Sequence, residues 1–273
     1  LQIMKDGMHW EQSPMYHNEV LLCYLKTVHL SQNNGIDIDP LIIEAARKMA
    51  YADLFMAKPN HHQPMKGDSD SFDLRVILTR AAILFRDPFL KFSGFRAIDF
   101  EKFWEFELEG IDIYHKVPAE KPTDLSVGFE DSGNFFMRSG WEEDALYLYF
   151  HCGQLRGGHG HADLLHIDVH AYGKEFLTDS GRFNYSDCYP LRRELKSAMA
   201  HNTSLVDGVE FTECIDTWGF GRIAVPLMTK WTSNEQFDYV EGSHDGYLHL
   251  DDPVYVRRRI VFVKPSYWML VDE

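Results

Sequence analysis

At Pro118-Ala119-Glu120-Lys121-Pro122 the hydrophobic period of the chain changes, and this change restricts the fold more than any other feature. Before it, apolar residues recur at helical spacing. Ser13-Pro14 is a helix start, serine capping and proline in the first turn, and Leu21, Leu22, Leu25 and Val28 form one stripe until Asn34-Gly35 ends it. Asp39-Pro40 opens a second helix in the same way. Its stripe of Ile42, Ile43, Ala46, Met49 and Ala50 runs towards Met56, and Pro59 prevents continuation. Residues 58–71 read as a polar loop, Phe72 to Phe85 as a third helix stopped by Asp87-Pro88, and Phe100 to Leu108 as a fourth. Beyond the proline-bracketed linker come short strand-like runs: Leu125–Phe129, Phe135–Ser139, Leu146–His151, Leu165–Tyr172, Glu175–Thr178, Ser204–Val206, Ile223–Thr229, Val254–Val263 and Tyr267–Val271. Asp207-Gly208 and Tyr172-Gly173-Lys174 are tight-turn signals between strands. The pattern is an α+β chain, helical hairpins over residues 1–117 and an antiparallel sheet or sandwich over residues 118–273.

The 273 residues, 45% of them hydrophobic, can bury a core large enough for two such units. No apolar run approaches the ~20 residues that span a bilayer. The opening residues lack the charged start and apolar centre of a signal peptide. The first residue is not Met and the last residues read as a strand, so a piece of a longer protein is expected. A net charge of −15 argues against a general nucleic-acid binder, which needs a basic surface to displace counterions. Arg156, Arg182, Arg192, Arg193 and Lys196 nevertheless cluster around a histidine-rich stretch, as an anionic substrate would require, although solvated surface bases explain them equally well. The four cysteines, Cys23, Cys152, Cys188 and Cys214, have no CxxC spacing and leave the redox compartment open.

That stretch is Gly157-Gly158-His159-Gly160-His161-Ala162-Asp163. If extended, its two histidines point the same way, and Leu165, Ile167 and Val169 then alternate with polar neighbours. This is one edge of a metal site, which Asp179 and His201 can complete, since zinc takes three or four nitrogen and oxygen ligands. Two histidines in a glycine-rich turn can also be plain surface residues. Met15-Tyr16-His17-Asn18-Glu19 lies in the first turn of the first helix, where the partial positive charge of the helix end favours an anion. Tyr16 there is either a proton donor or a core aromatic whose hydroxyl meets a backbone partner.

Taken together and in this order, Asp6-Gly7-Met8-His9-Trp10-Glu11-Gln12-Ser13-Pro14-Met15-Tyr16-His17, Gly158-His159-Gly160-His161-Ala162-Asp163, Asp179-Ser180-Gly181 and Ala200-His201-Asn202-Thr203 resemble the heparinase II/III family of polysaccharide lyases. The resemblance implies the C-terminal part of an α/α toroid over residues 1–117, an antiparallel β-sandwich over residues 118–273, and an active site between them. It implies a carbon–oxygen lyase that cleaves a uronic-acid-containing polysaccharide by β-elimination, with heparin or heparan sulfate favoured over alginate, acting outside the cytoplasm. By the same resemblance Tyr16 and His159 are catalytic, and His161, Asp179 and His201 hold a structural zinc. Ser180 stands where the family often has proline, a change in rigidity and not in ligation. The family's group that neutralises the substrate carboxylate comes from a helix upstream of the tyrosine motif. Residues 1–273 alone are therefore expected to turn over slowly, and to leave Leu21, Leu22 and Leu25 uncovered.

Arg182, Arg192 and Arg193, whose guanidinium groups suit sulfate and carboxylate, are candidate substrate contacts, with Tyr185 as a stacking partner. Three other readings compete. His159-Gly160-His161-Ala162-Asp163 also looks like part of the HxHxDH signature of metal-dependent hydrolases, but Leu164 stands where that motif needs histidine. A cupin is a second metal alternative, but Leu165 and His166 stand where its glutamate would fall. A carbohydrate-binding module using Trp218, Tyr185 and Tyr189 as platforms is the non-enzymatic reading.

Overall fold

The structure is a computed structural model that describes residues 2–186 and 188–273. Its helical portion comprises α1 (Pro14–Asn34), α2 (Pro40–Met56), α3 (Arg75–Phe85), the short α4 (Pro88–Phe92) and α5 (Phe100–Lys116). The caps read from sequence are in place. The Ser13 hydroxyl accepts from the Tyr16 amide, Gly35 closes α1 at φ 60°, and the Asp39 carboxylate accepts from Leu41. The buried stripe of α1 is Pro14, His17, Asn18, Leu21, Leu25 and Val28, so it carries polar as well as apolar side chains. Leu21 and Leu25 are fully covered in a core shared with α2 and α3, contrary to the expectation that they are left bare. Apolar side chains left in water lie elsewhere: at Phe100, Trp104 and Leu108 on α5, and at Leu30 and Leu41 on α1 and α2. The expected stop near Leu108 is a break at Glu107 (φ 54°, ψ −159°), after which α5 resumes and runs to Lys116.

Two antiparallel meanders follow. The first sheet has the order β1 (Val127–Phe129), β2 (Asn134–Arg138), β3 (Tyr147–His151), β4 (His166–Ala171) and β5 (Lys174–Leu177); the second has β6 (Pro226–Ser233), β7 (Phe237–His244), β8 (Val256–Val263) and β9 (Tyr267–Asp272). The chain is thus an α+β fold in three layers. Phe135, Leu148, Phe150 and Ile167 on one face of the first sheet pack against Val240, Val256, Ile260 and Phe262 of the second. On its opposite face Phe136, Tyr147 and Tyr149 join the helical core.

Pairing Asn134 with His151 and His151 with His166 puts three polar side chains in one row on the helix-facing side. Arg138, Tyr147 and His170 form a second row. Period-two alternation holds, but the polar side is buried and not solvated: Asn134, Arg138, His151, His166, Asp168 and His170 are all enclosed. Each layer-crossing side chain therefore needs a partner. Arg138 donates to the carbonyls of Phe55 and Ala57 at 2.7 and 2.9 Å, and the Tyr147 hydroxyl donates to Met56 O at 2.8 Å, so this sheet caps the carbonyl end of α2. Burial brings the Arg138 guanidinium down to about 10, which leaves it a cation at neutral pH.

Residues 58–71 are not the solvated loop their composition suggests. Lys58, Gln63, Lys66, Asp68 and Ser69 are buried, because the segment wedges between the helices and the loops of the first sheet. Its Asp68 amide donates to His159 O at 2.8 Å, an approach that only Gly67 allows, since a Cβ there would lie 2.8 Å from the same oxygen. Asn134 is the hub beneath it. Its amide oxygen accepts from the Tyr149 hydroxyl at 2.6 Å and pairs with His151 Nδ1 at 2.9 Å, and its nitrogen donates to Gln12 Oε1 at 3.1 Å. Asn134→Ala strands these buried groups and is expected to lower unfolding free energy by ~2–4 kcal/mol. Urea denaturation measures it, and a loss under ~0.5 kcal/mol, the range of a neutral surface change, contradicts the hub role.

Candidate active site and metal centre

The histidine stretch occupies a turn, not a strand. Gly157 (φ 68°) and Leu165 (φ 64°) bend the backbone at either end, and β4 begins only at His166. His159 and His161 consequently do not share a face. His159 turns to the helical portion and His161 turns inward, a correction to the extended geometry read from sequence.

Around the His159 imidazole three aromatic rings meet. Tyr16, in the first turn of α1, stacks on the imidazole with centroids 3.5 Å apart and 14° between planes. Its hydroxyl lies 2.9 Å from that of Tyr185, which stacks in turn on Trp218 at 4.9 Å. Trp218 meets His159 edge to face at 5.6 Å, closing the group. Burial, and then the hydrogen bond with Tyr16, push the Tyr185 hydroxyl well above its ordinary value, so Tyr185 stays protonated. Glu11 Oε2 sits 2.5 Å from His159 Nδ1. A carboxylate there accepts a hydrogen bond from Nδ1–H, which keeps the proton on Nδ1 and leaves Nε2 as the nitrogen with the free lone pair. Glu11 lies within the motif around Tyr16, yet sequence reading gave it no role, because nothing local joins it to a histidine in the other half of the chain.

Behind this group lies a second cluster. His161, Asp179 and His201 are buried and bring one nitrogen or oxygen each to within 4.8 Å of one another, the arrangement that ligands at about 2.0–2.2 Å from a common ion approach. Two buried nitrogens have no hydrogen-bond partner, His161 Nδ1 and His201 Nε2, while the other nitrogen of each ring is held by a carboxylate. His161 Nε2 donates to Asp68 Oδ1 at 2.8 Å, and His201 Nδ1 donates to Asp179 Oδ2 at 2.8 Å. Carboxylate on one side and a bare nitrogen on the other is how a ligating imidazole is oriented, so the residues present fit a metal ion. Burial opposes the Asp179 charge, but His201, His166 and His161 outweigh it and hold the carboxyl far below its usual range. Burial likewise opposes a charged His201, and Asp179 more than compensates. Asp179 therefore favours the charged form of His201. Asp179 Oδ1 also accepts from the Gly181 amide at 2.9 Å, which closes the turn independently of Ser180.

Arg192 corrects an expectation. Its guanidinium is buried and forks onto Asp68 at 2.6 and 2.9 Å, 3.2 Å from His161 Nε2, so it supports the His161–Asp179–His201 cluster from behind and has no free face for substrate. Arg182 is half-buried, forks onto Asp70 and lies 5.2 Å from the Tyr185 ring centroid. Arg193 donates to Cys214 O at 2.7 Å and borders a cleft of about 960 Å³. That cleft is lined by Glu194, Glu210, Glu213 and Asp216 against Arg192, Arg193 and Arg222, and with Arg192 already paired to Asp68 the balance does not favour a polyanion. His17 and Asn18, the polar side chains that follow Tyr16 at the same helix end, are not free to neutralise a substrate carboxylate, since they are committed to Met49 O at 3.1 Å and to the Gln63 side chain. Asp68→Asn is expected to weaken retention of a bound divalent ion ~10–100-fold, the usual cost of losing such a supporting carboxylate. Competition with a chelator, read by elemental analysis, measures this. Unchanged retention, or metal that survives His161→Ala, contradicts the assignment.

Two family descriptions match separate parts of the chain. The family description "Heparinase II/III-like, C-terminal" matches residues 121–273, and "Heparinase II/III N-terminus" matches residues 1–88. Among characterised relatives, a heparin-sulfate lyase of Pedobacter heparinus is 22% identical over 277 residues, and one of Bacteroides stercoris is 21% identical over 283 residues. Each alignment covers all of this chain but only 38% and 37% of the relative. The crystal structure of the heparan sulfate lyase HepC from Pedobacter heparinus superposes with a TM-score of 0.77 at 21% identity, over 99% of this chain and 39% of that one. A heparinase III superposes at 0.80 with 19% identity, over 99% and 38%. With the C-terminal family description spanning more than half of the residues, the chain belongs to the heparinase II/III-like family.

Proposed function

We propose that this chain acts in β-elimination of a uronic-acid-containing polysaccharide, and that the polymer is a glycosaminoglycan of the heparin or heparan sulfate kind. The observation that carries the reading is the contact of Tyr16 with His159, one ring from the first helix and one from the sandwich portion, beside the Tyr185 hydroxyl. Residues 1–117 serve as the tail of an α/α toroid and residues 118–273 as the β-sandwich, with the polymer lying along the seam. The two relatives named above are lyases of heparin sulfate, which supports the choice of polymer. The family resemblance supports a reaction outside the cytoplasm. Among the described residues no helix is long and apolar enough to cross a membrane.

The chemistry requires removal of the weakly acidic proton next to the uronate carboxylate and protonation of the departing glycosidic oxygen. Tyr16 supplies the second proton from its hydroxyl. His159 takes the first at Nε2, with Glu11 holding the ring through Nδ1. Where proton and leaving group share a face, Tyr16 performs both transfers. Arg182, released from Asp70, is the cation in this group placed to contact a sulfate or carboxylate. His161, Asp179 and His201 hold a structural zinc that fixes the turn carrying His159; bound there, the ion supplies rigidity and not chemistry.

A panel of uronate polysaccharides should give new ultraviolet absorbance, from the double bond conjugated with the carboxylate, on heparan sulfate and less or none on alginate. Tyr16→Phe should abolish that signal on every substrate, and His159→Ala should abolish it selectively where proton and leaving group lie on opposite faces. Turnover by Tyr16→Phe contradicts the assignment. So does complete loss by His159→Ala on both uronate epimers.

A further inference from the structure

Trp218 has no part in the acid–base chemistry, yet the protein commits buried charge to holding it in place. It stands at the tip of a hairpin closed by pairing of Cys214 with Phe220 and by a hydrogen bond from the Ile215 amide to Gly219 O at 3.0 Å. Asp216 Oδ1 accepts from the Trp218 amide at 2.8 Å and from the Gly219 amide at 2.5 Å. From below, the fully buried Lys196 ammonium donates to the carbonyls of Asp216 and Thr217 at 3.2 and 3.0 Å, and the buried Arg192 reaches Thr217 O at 3.4 Å. Lys196 also lies 3.8 Å from the Phe220 ring centroid. Two desolvated cations thus brace a surface turn.

What the brace presents is an indole that is 46% exposed. A half-exposed tryptophan on its own needs no explanation, since such residues are ordinary on protein surfaces. This one is different in its neighbours. Its ring stacks on Tyr185 with 24° between planes and stands at 84° to His159, so it forms the outer wall of the group that contains both candidate proton-transfer residues. Gly158, immediately before His159, leaves room for it, since a Cβ there would lie 3.2 Å from the indole. A rigid, flat, apolar surface with a polar edge, fixed beside the reacting centre, suits the C–H face of a pyranose ring.

We propose that Trp218 is a sugar-stacking subsite that seats the pyranose unit adjoining the bond to be cleaved, with Lys196 and Arg192 as the residues that position its hairpin. The proposal rests on the functional reading above. It also accounts for how an acidic chain holds an anionic polymer: the contact is with the ring's apolar face and needs no net positive charge. Loss of a stacking aromatic in comparable flat-ring recognition costs about tenfold or more in affinity.

The test uses the whole chain carrying Tyr16→Phe, which binds without turnover, titrated calorimetrically with heparan sulfate and alginate oligosaccharides. Adding Trp218→Ala or Trp218→Gln should weaken binding about tenfold or more, whereas Trp218→Phe should retain most of it. Saturation-transfer NMR should show magnetisation passing from indole protons to sugar ring protons in the Tyr16→Phe chain. Equal affinity in the Phe, Ala and Gln variants overturns the subsite while leaving the lyase reading intact. A Tyr16→Phe chain that binds neither oligosaccharide counts against the functional reading itself, and the subsite falls with it.

Discussion

Two layers of this protein meet through buried polar groups, and everything at the candidate site depends on those groups being matched. Lys66, in the wedge between α2 and α3, places its ammonium 3.2 Å from His151 Nε2 and 3.6 Å from Asp163 Oδ2, and His151 continues through Asn134 to Gln12 beside α1. Burial alone would raise the Asp163 carboxyl, yet Lys66 and the surrounding imidazoles keep it below its ordinary range. Removing any one partner leaves a desolvated charge or donor, which costs far more than the pair contributes relative to an apolar contact. The seam therefore fixes register more than it adds stability. It is what lets Glu11 and Tyr16 from one layer meet His159 from another with hydrogen-bond accuracy.

The same logic separates what was legible in the chain from what was not. Helix starts at Ser13-Pro14 and Asp39-Pro40 are local events, a side-chain oxygen reaching its own backbone, and the sequence states them directly. The turns at Tyr172-Gly173 and Asp207-Gly208 are equally local, and both adopt left-handed φ. The strand β7 was not expected, because Asp238, Glu241, Gly242, Ser243 and His244 look like a polar connection. Asp238 is in fact buried and satisfied by Ser126 Oγ at 2.6 Å, Ser233 Oγ at 2.5 Å and Lys264 Nζ at 2.6 Å, all distant in sequence or on other strands. The wedge over residues 58–71 escaped for the same reason: hydrophilic composition signals solvent only when no buried partner awaits. The short helices α4 and α6 (Pro190–Lys196) fall below the length at which periodicity can be read.

At the site, motif order was enough to select Tyr16, His159, His161, Asp179 and His201, and the structure gathers them into two adjoining groups. Their supporting partners were invisible. Glu11 and Asp68 act across the seam, and nothing in their own neighbourhoods distinguishes them from surface carboxylates. The cations around the histidines suggest, from sequence, a field for an anionic polymer, but Arg192 is consumed by Asp68, Arg182 is paired with Asp70, and Lys196 is spent on main-chain carbonyls. Positive charge here builds the site before it serves a substrate.

The central claim is that helices and first sheet form one body through the polar seam, so that the candidate catalytic pair exists only when both are folded. Hydrogen exchange in rising urea, followed by mass spectrometry on peptides from α1–α3 and from β2–β4, tests it most directly. The account predicts that both sets of peptides open together at one free energy. Helical peptides that open at distinctly lower urea while the strands stay closed would contradict it.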